Sequence, residues 1–204
     1  AARIGAVNTL VRVDGGYKGY NTDAIGLYRE LEEENIIIKD KEVIILGAGG
    51  ASNAITYICA DKGAAKIYLL NRTFDKAKKL ADDVNSHFGD VVVPLAISDY
   101  RLIPEGKYPV IQTTSCGLYP HNDDAPIYDK EFYELVEAGV DIIFNPAKTM
   151  FMKLCKESGA RSYNGLKMLL YQGIAAFELW NDIKVPKNLA DKILGMMERK
   201  LKES

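Results

Sequence analysis

The chain has 204 residues, of which 48% are hydrophobic and 26% are charged, and its formal net charge is −2. A chain of this length and composition forms one large globular domain, or one domain with part of another. The nearly neutral charge argues against bulk attraction to nucleic acid or to a membrane surface, and every apolar run falls far short of the roughly twenty residues that cross a bilayer.

The cysteine and histidine positions predict reduced thiols and no metal centre. The chain has no C-x-x-C pair, and neither histidine has a partner at metal-ligand spacing; the residues are Cys59, Cys116, Cys155, His87 and His121. Free thiols and the lack of a zinc site follow from this pattern. Charged residues interrupt the first twenty positions, so no signal peptide is predicted and we expect a cytoplasmic protein.

The N-terminal residues predict a two-stranded ribbon followed by a helix. Apolar and polar residues alternate over 6–13, and Asp14-Gly15-Gly16 then leads into a return strand at 17–20. A helical pattern over 23–34 follows and ends in three glutamates. Because a two-stranded ribbon is not stable alone, we expect residues before Ala1 to complete its sheet.

From residue 41 the chain alternates between strand and helix patterns. Strands are predicted near 42–47, 66–71, 91–95, 108–113 and 140–144, with helices near 50–62, 74–88 and 128–138 between them. This alternation predicts an α/β fold with a Rossmann-like doubly wound parallel sheet, which binds ligands at the carboxyl ends of its strands. Three further helices are predicted near 149–158, 164–182 and 187–202.

A glycine-rich loop follows the first of these strands, with the sequence Gly47-Ala48-Gly49-Gly50-Ala51. Glycines at the first and third positions allow a tight turn and a close approach to a pyrophosphate, which would lie at the N-terminus of the next helix. Ser52 occupies the place of the third glycine in the general G-x-G-x-x-G pattern, and a loop of this kind alone is also compatible with an ordinary tight turn.

Asn71-Arg72-Thr73 follows the second strand, where an NAD-binding protein usually has an acidic residue for the ribose hydroxyl. A guanidinium binds a 2′-phosphate bidentately, so these residues favour NADP over NAD. Lys76 lies one turn further and would add a second positive charge, although a solvated lysine is an equal alternative. Thr73 is also compatible with a simple helix cap.

Four further segments, together with these two motifs, give the chain its resemblance to a known family. The segments are Gly5-Ala6-Val7-Asn8-Thr9, Gly19-Tyr20-Asn21-Thr22-Asp23, Asp141-Ile142-Ile143-Phe144-Asn145-Pro146 and Gly165-Leu166-Lys167-Met168-Leu169-Leu170-Tyr171-Gln172. In order and spacing, nearly the whole chain is similar to shikimate dehydrogenases. The resemblance implies the reversible, NADPH-dependent reduction of 3-dehydroshikimate to shikimate, a step of chorismate and aromatic amino acid biosynthesis.

The resemblance also implies roles for individual residues. Asp23 would partner a catalytic lysine, and the substrate would be held by Asn8, Asp23, Phe144 and Gln172. The cofactor-binding residues would be Gly47, Ala48, Gly49, Gly50 and Ala51 at the pyrophosphate, Asn71, Arg72, Thr73 and Lys76 at the 2′-phosphate, and Thr114, Ile142, Gly165 and Met168, of which the last three line the nicotinamide. As alternatives from the residues alone, Asp23 caps the following helix and Asn8 is a turn residue at a strand end.

The chain departs from the family pattern at three places. Phe144 stands where the family commonly has tyrosine, and Gln112 replaces an asparagine. The family's serine pair and catalytic lysine precede the A-x-N-T strand, so the resemblance puts them ahead of residue 1. We therefore expect this chain by itself to bind NADP but hardly to turn over shikimate.

The expected organisation has three parts. Residues 1–23 form the C-terminal ribbon of a substrate domain, 24–182 form the NADP-binding domain, and 183–204 form a helix that packs towards the substrate domain. The expected partners are small molecules, without nucleic acid or membrane, and a homodimer is left open. The alternatives are a quinate/shikimate dehydrogenase relative, a glutamyl-tRNA reductase, against which the charge balance and Asn21-Thr22-Asp23 both argue, and a non-catalytic NADP-binding module.

Overall fold

A two-stranded ribbon opens the fold in the computed structural model, which describes residues 4–203. Strand β1 (Thr9–Val13) pairs in antiparallel fashion with β2 (Gly16–Tyr20), with Thr9 opposite Tyr20. The predicted ribbon is confirmed, with a first strand that begins three residues later than expected. Positions 1–3 and 204 of the predicted first and last segments lie outside the described residues.

A second sheet has six parallel strands and forms the centre of the molecule. The strands are β3 (Glu42–Leu46), β4 (Lys66–Asn71), β5 (Val92–Ala96), β6 (Tyr108–Gln112), β7 (Val136–Asp141) and β8 (Arg161–Asn164), in the spatial order β5-β4-β3-β6-β7-β8. This is the doubly wound order, and the predicted α/β class is confirmed. The strand order reverses between β3 and β6, so the loops after these two strands meet where such sheets bind ligands.

Helices cover both faces of the six-stranded sheet because alternate strand residues point to opposite sides. One core contains side chains of α1 (Thr22–Glu33), α2 (Gly50–Asp61), α3 (Phe74–Phe88) and α6 (Leu166–Asn181). The other contains side chains of a 3₁₀ helix (Ile97–Leu102), α4 (Lys130–Glu134) and α5 (Met150–Glu157). The last helix, α7 (Lys187–Glu203), packs on α6. Within residues 4–203 no helix combines the length and apolar character needed to span a bilayer.

The prediction was wrong over residues 128–144. The expected helix over 128–138 is the single turn and a half of α4, and the expected strand at 140–144 is β7, four residues earlier. Strand β7 is buried at every position except Glu137, so apolar and polar residues do not alternate along it, and Ala138 and Gly139 at its centre have low β propensity. Phe151 and Cys155 of α5 pack directly against Gly139. The position of this strand therefore depends on a tertiary contact rather than on a local sequence pattern. The short edge strand β8, with one aromatic residue, was not predicted.

Helices α1 and α6 cross at unusually close range. A Cβ atom at Gly26 would lie 2.6 Å from the Met168 carbonyl oxygen and 2.7 Å from the Gln172 nitrogen, so the two backbones approach each other only because this residue is glycine. The indole N–H of Trp180 in α6 donates to the Leu10 carbonyl oxygen at 2.9 Å. Helix α6 therefore holds both α1 and the ribbon.

Candidate functional site

The glycine loop leaves β3 at the point where the strand order reverses. Gly47 has φ +111°, and a Cβ atom there would lie 2.5 Å from the Thr113 hydroxyl oxygen in the loop after β6. Both the backbone angle and the lack of space require glycine at this position. A Cβ at Gly49 or Gly50 would instead meet open space, and Gly49, the N-cap of α2, provides no side-chain cap. The first N–H groups of α2 are therefore available to an anion.

Ser52 performs a structural role at the third position of the glycine pattern. Its hydroxyl group is buried and donates to the Gly47 carbonyl oxygen at 2.5 Å, and Thr56 donates to the Ser52 carbonyl oxygen at 2.7 Å. These hydrogen bonds connect the glycine loop to the first turns of α2 through buried groups. The substitution of serine for glycine thus leaves the upper surface of the loop unobstructed.

The Asn71-Arg72-Thr73 segment forms a turn between β4 and α3. The side-chain amide of Asn71 donates to the Thr73 carbonyl oxygen at 2.8 Å. Thr73 is the N-cap residue of α3, as the alternative for this residue predicted, although its hydroxyl makes no capping hydrogen bond. Arg72 and Lys76 are exposed, and within the described part of the chain neither has a carboxylate partner among the salt bridges.

A cavity of about 500 Å³ lies between α2 and α3 beside the glycine loop. One wall is formed by α2 and the loop, the other by α3, and the lining residues are Ala48, Gly49, Gly50, Asn53, Lys76, Lys79, Leu80 and Asp83. The side-chain oxygen of Asn53 is buried and has no hydrogen-bond partner in the described structure. Open space, free cations and an unused acceptor together fit a phosphorylated nucleotide.

A second cavity of about 500 Å³ lies between the loops that follow β6 and β7. Two predicted cofactor residues, Thr114 and Ile142, line it together with the predicted substrate residue Phe144, which is 39% exposed. The remaining lining residues are Thr113, Ser115, Leu118, Tyr119, Ile143 and Asn145. The largely uncharged lining suits a nicotinamide ring better than a phosphate.

Gln112 and Asp141 hold the two loops of this second cavity. Both side chains are fully buried; the Gln112 amide oxygen accepts the Thr114 N–H, and its nitrogen donates to the Cys116 carbonyl oxygen at 3.1 Å and to Asp141 Oδ1 at 3.3 Å. Asp141 also accepts hydrogen bonds from Ile143 N at 3.0 Å and from the Thr149 hydroxyl at 2.6 Å. Burial raises the pKa of Asp141 to about 6, against the lowering effect of these hydrogen bonds.

The start of α6 is built onto the loop after β7. A Cβ atom at Gly165 would collide with the Ile142 carbonyl group, and the Gly165 N–H donates to the Ile143 carbonyl oxygen at 3.1 Å. Met168, expected to line the nicotinamide, instead has its side chain in the main core and does not line the second cavity. Gly165 is therefore placed beside Ile142, whereas the Met168 side chain lies one helical turn further along α6 and points into the main core.

Glu30 is a fully buried acid whose structural role was not predicted from the sequence. Its carboxylate oxygen Oε2 accepts the Met168 N–H at 3.0 Å and so caps α6 from α1, while Oε1 has no hydrogen-bond partner in the described structure. Burial raises the pKa of Glu30 to about 8. A charged residue between Leu27 and Leu31, on the apolar stripe of α1, was the available signal.

Three of the four predicted substrate residues, Asn8, Asp23 and Gln172, lie in or against α1. The Asn8 amide oxygen accepts hydrogen bonds from the Thr22 N–H at 2.9 Å and from the Thr22 hydroxyl at 3.2 Å. Asn8 therefore fixes the residue next to Asp23 rather than serving only as a turn residue. Gln172 lies beside Gly26, one turn further along α1, and its side-chain amide donates to the Leu169 carbonyl oxygen at 3.0 Å.

Asp23 is not the helix cap. Asn21 occupies that position, and its side-chain oxygen accepts the Ala24 N–H at 3.3 Å. The half-buried Asp23 makes no side-chain hydrogen bond or salt bridge within residues 4–203. Its carboxylate is thus free for a ligand or a partner group. No group of three or more His, Cys, Asp or Glu side chains in the described chain is arranged to hold a metal ion, and the three cysteines are free thiols.

Two segments of the chain match known families. Residues 30–98 match the Shikimate / quinate 5-dehydrogenase family, and residues 165–192 match the Shikimate 5′-dehydrogenase C-terminal domain. The NADP(+) shikimate dehydrogenase of Carboxydothermus hydrogenoformans is 39% identical over 196 residues, which cover 96% of this chain and 69% of that relative.

Solved structures agree with these sequence matches. Shikimate 5-dehydrogenase from Thermus thermophilus, in complex with NADP(H) and shikimate, has a TM-score of 0.77 at 31% identity and covers 96% of this chain. Quinate dehydrogenase from Corynebacterium glutamicum, in complex with NAD, has a TM-score of 0.82 at 26% identity and also covers 96%. The chain spans 69% and 70% of these two proteins, or about two thirds of each.

Proposed function

The chain belongs to the shikimate dehydrogenase family, and on this premise we propose that it binds NADP(H) and shikimate as part of an enzyme that reversibly reduces 3-dehydroshikimate. The assignment of NADP(H) as the cofactor rests on one observation. Beyond β4, where a carboxylate would bind the ribose hydroxyl of NAD, the chain has the exposed cation Arg72. A 2′-phosphate supplies the negative charge that this residue, with Lys76, is free to bind.

In this proposal each cavity receives one half of the dinucleotide. The N-terminus of α2 and the loop Gly47–Ala51 bind the pyrophosphate, while Asn71, Arg72, Thr73 and Lys76 bind the 2′-phosphate. Thr114, Ile142 and Gly165 surround the nicotinamide, which supplies a hydride to the substrate ketone when the reduced cofactor is bound. Met168 contributes indirectly, because its N–H donates to Glu30 at 3.0 Å and this hydrogen bond holds the first turn of α6 in place.

The substrate hydroxyl groups would lie against Asn8, Asp23 and Gln172. The Asn8 nitrogen remains a donor once its oxygen is committed to Thr22, and the Asp23 carboxylate accepts a hydrogen bond. A carboxylate beside the reacting hydroxyl orients the proton-transferring group and stabilises its charged form. Phe144 supplies an apolar wall and no hydrogen bond.

The proposed organisation keeps the boundaries 1–23, 24–182 and 183–204. The separate pairing of β1 with β2 and the exposed apolar side chains Leu10, Val13 and Tyr17 support a ribbon that belongs to a second domain. Contacts of α7 with α6, which carries Gln172, support a last helix near the substrate. We further propose a cytoplasmic enzyme of aromatic amino acid biosynthesis with small-molecule partners only, in line with its net charge of −2.

Calorimetric titration of this chain with NADP⁺ and NAD⁺ tests the cofactor assignment. NADP⁺ is expected to bind more tightly, and Arg72→Asp is expected to raise the NADP⁺ dissociation constant about tenfold or more, equivalent to about 1.4 kcal/mol, because a repulsive charge replaces an attractive one. The NAD⁺ constant serves as the internal control. Equal affinity for the two nucleotides in the unmodified chain would contradict the assignment.

Shikimate and quinate titrations in the presence of saturating NADP⁺ separate the remaining alternatives. Binding of shikimate that is lost in Asp23→Ala supports the proposed substrate site. Preferential binding of quinate would favour a quinate-dehydrogenase relative. Binding of NADP⁺ without either acid would leave the cofactor assignment standing and contradict the proposed substrate site in this chain.

A further inference from the structure

The cavity between α2 and α3 contains a second cation on α3 besides Lys76. Lys79 lines this cavity one turn beyond Lys76, facing Gly49, Gly50 and Asn53 on the other wall. Neighbouring Lys78 is not among the lining residues, and its ammonium group is held by Asp82 at 2.7 Å. Two adjacent lysines of α3 thus differ in both position and availability.

Asn53 provides an independent indication that a ligand enters this cavity. Its side-chain oxygen is shielded from solvent and has no hydrogen-bond partner in the described structure. A buried acceptor without a donor costs free energy, and a bound molecule that donates a hydrogen bond to this oxygen would remove that cost. The ribose hydroxyl groups of an adenosine are donors of the right kind.

The order of charges along α3 indicates how such a nucleotide would be oriented. Lys76 lies near the glycine loop, Lys79 follows one turn later, and Asp83 is one further turn along. The Asp83 carboxylate accepts the Tyr57 hydroxyl at 2.8 Å and would repel a phosphate. The anion is therefore confined to the section of the cavity between Lys76 and Lys79, ahead of Asp83.

We propose that Lys79 is a further determinant of NADP specificity, binding the 2′-phosphate together with Lys76, while Asn53 accepts a hydrogen bond from the adjoining ribose hydroxyl. This inference rests on the proposed function, because it assumes that the nucleotide lies in this cavity. It predicts that the preference for NADP arises from two turns of α3 as well as from Arg72. A 2′-phosphate carries nearly two negative charges at neutral pH, which a single guanidinium does not neutralise.

The test compares Lys79→Gln with Lys78→Gln as the matched control, by titration with NADP⁺ and NAD⁺. Lys79→Gln is expected to raise the NADP⁺ dissociation constant about three- to fivefold and to leave that of NAD⁺ unchanged, since only NADP⁺ carries the 2′-phosphate. Lys78→Gln should change neither constant, and Lys79→Arg should retain the NADP⁺ affinity. The effect of Lys79→Gln should shrink at high salt.

Asn53→Ala provides a second readout with a different signature. The 3′-hydroxyl is common to both nucleotides, so this variant should weaken NADP⁺ and NAD⁺ to the same extent. An unchanged NADP⁺ constant in Lys79→Gln, or an equal loss for both nucleotides, would overturn the assignment of Lys79. If Arg72→Asp alters the NADP⁺/NAD⁺ ratio while Lys79→Gln does not, only this inference fails; if neither does, the proposed NADP site fails with it.

Discussion

At the scale of single residues, Glu30 shows how one buried carboxyl group joins two helices. From α1 it accepts a hydrogen bond from the first turn of α6, whose N-cap, Gly165, provides no side-chain cap. A carboxylate at a helix N-terminus interacts favourably with the helix dipole, but complete burial penalises its charge. The hydrogen bond and the charge therefore have opposite effects on stability.

This opposition predicts a pH-dependent effect of Glu30→Gln on the free energy of unfolding. The pKa of Glu30 rises from an ordinary value of 4.5 to about 8 in the folded chain, so the folded state binds the proton more tightly than the unfolded state. The contribution of Glu30 to stability is thus fully present below pH 4.5 and is lost as the pH rises towards 8. Glutamine keeps an acceptor for the Met168 N–H and does not ionise.

Urea unfolding at pH 5 and pH 8.5 checks this prediction. Relative to the unmodified chain, Glu30→Gln should gain stability between the two pH values by an amount of the order of 1–3 kcal/mol. Glu32→Gln, at an exposed position of the same helix, is the control and should show little such gain. A pH-independent difference between Glu30→Gln and the unmodified chain would show that Glu30 is already charged at pH 5.

Gly165→Ala and Gly173→Ala form a matched pair in α6. A methyl group at Gly165 collides with the Ile142 backbone, whereas one at Gly173 has no atom within 4 Å. We expect Gly165→Ala to lose about 2 kcal/mol or more of unfolding free energy and to weaken NADP⁺ binding. Gly173→Ala should gain about 0.5–1 kcal/mol, because alanine favours the helix. Thermal unfolding measures both, and a loss in both variants would mean that α6 rejects alanine for another reason.

At the scale of elements, the first turn of α1 contains a structural residue and, two positions later, the residue proposed to bind the substrate. Asn21 caps the helix, while Asp23 makes no hydrogen bond or salt bridge within residues 4–203. Asn21→Ala is therefore expected to lower the free energy of unfolding by about 1 kcal/mol. Asp23→Asn should leave stability within about 0.5 kcal/mol and abolish shikimate binding. Comparable destabilisation by the two variants, measured by urea unfolding, would return Asp23 to a capping role.

Elements were predictable from the sequence where local signals and tertiary packing agree. Strand β4 and helix α3 were predicted to the residue, because each shows a clear period between well-marked ends. Strand β7 was not predicted correctly, because burial on both faces removes the alternation of apolar and polar residues. Its glycine, Gly139, is explained only by the close packing of α5 against it. The edge strand β8 has four residues and only one aromatic side chain, Tyr163, too little pattern to mark a strand.

The candidate site divides in the same way. The positions of the glycine loop after β3 and of Arg72 after β4 were predictable, because they depend on residues that are close in sequence. Lys79, Asn53 and Glu30 were not, because their surroundings depend on which helix faces meet. Lys79 follows another lysine and Asn53 lies within a helix, so no local sequence pattern indicates that the two residues line the same cavity.

At the scale of the whole molecule, binding of the cofactor should stabilise the fold. A ligand at a hundredfold excess over its dissociation constant contributes about 2.7 kcal/mol, which for a chain of this size corresponds to roughly 5–10 °C in Tm. NADP⁺ is expected to produce this shift in differential scanning fluorimetry. The same concentration should produce a smaller shift in Arg72→Asp, and the lack of any shift in the unmodified chain would contradict the proposed function.

The contacts of α6 also determine the order in which a ribosome can complete this fold. Glu30 meets the Met168 N–H across 138 residues of sequence, and Leu10 meets Trp180 across 170. At synthesis rates of about 5–20 residues per second, the ribbon and α1 are made roughly 7 to 34 seconds before these partners. The six-stranded sheet can assemble meanwhile from its own neighbouring segments. The ribbon and α1 therefore remain without their α6 partners until most of this chain has been translated, and the residues that α6 later covers stay exposed during that interval.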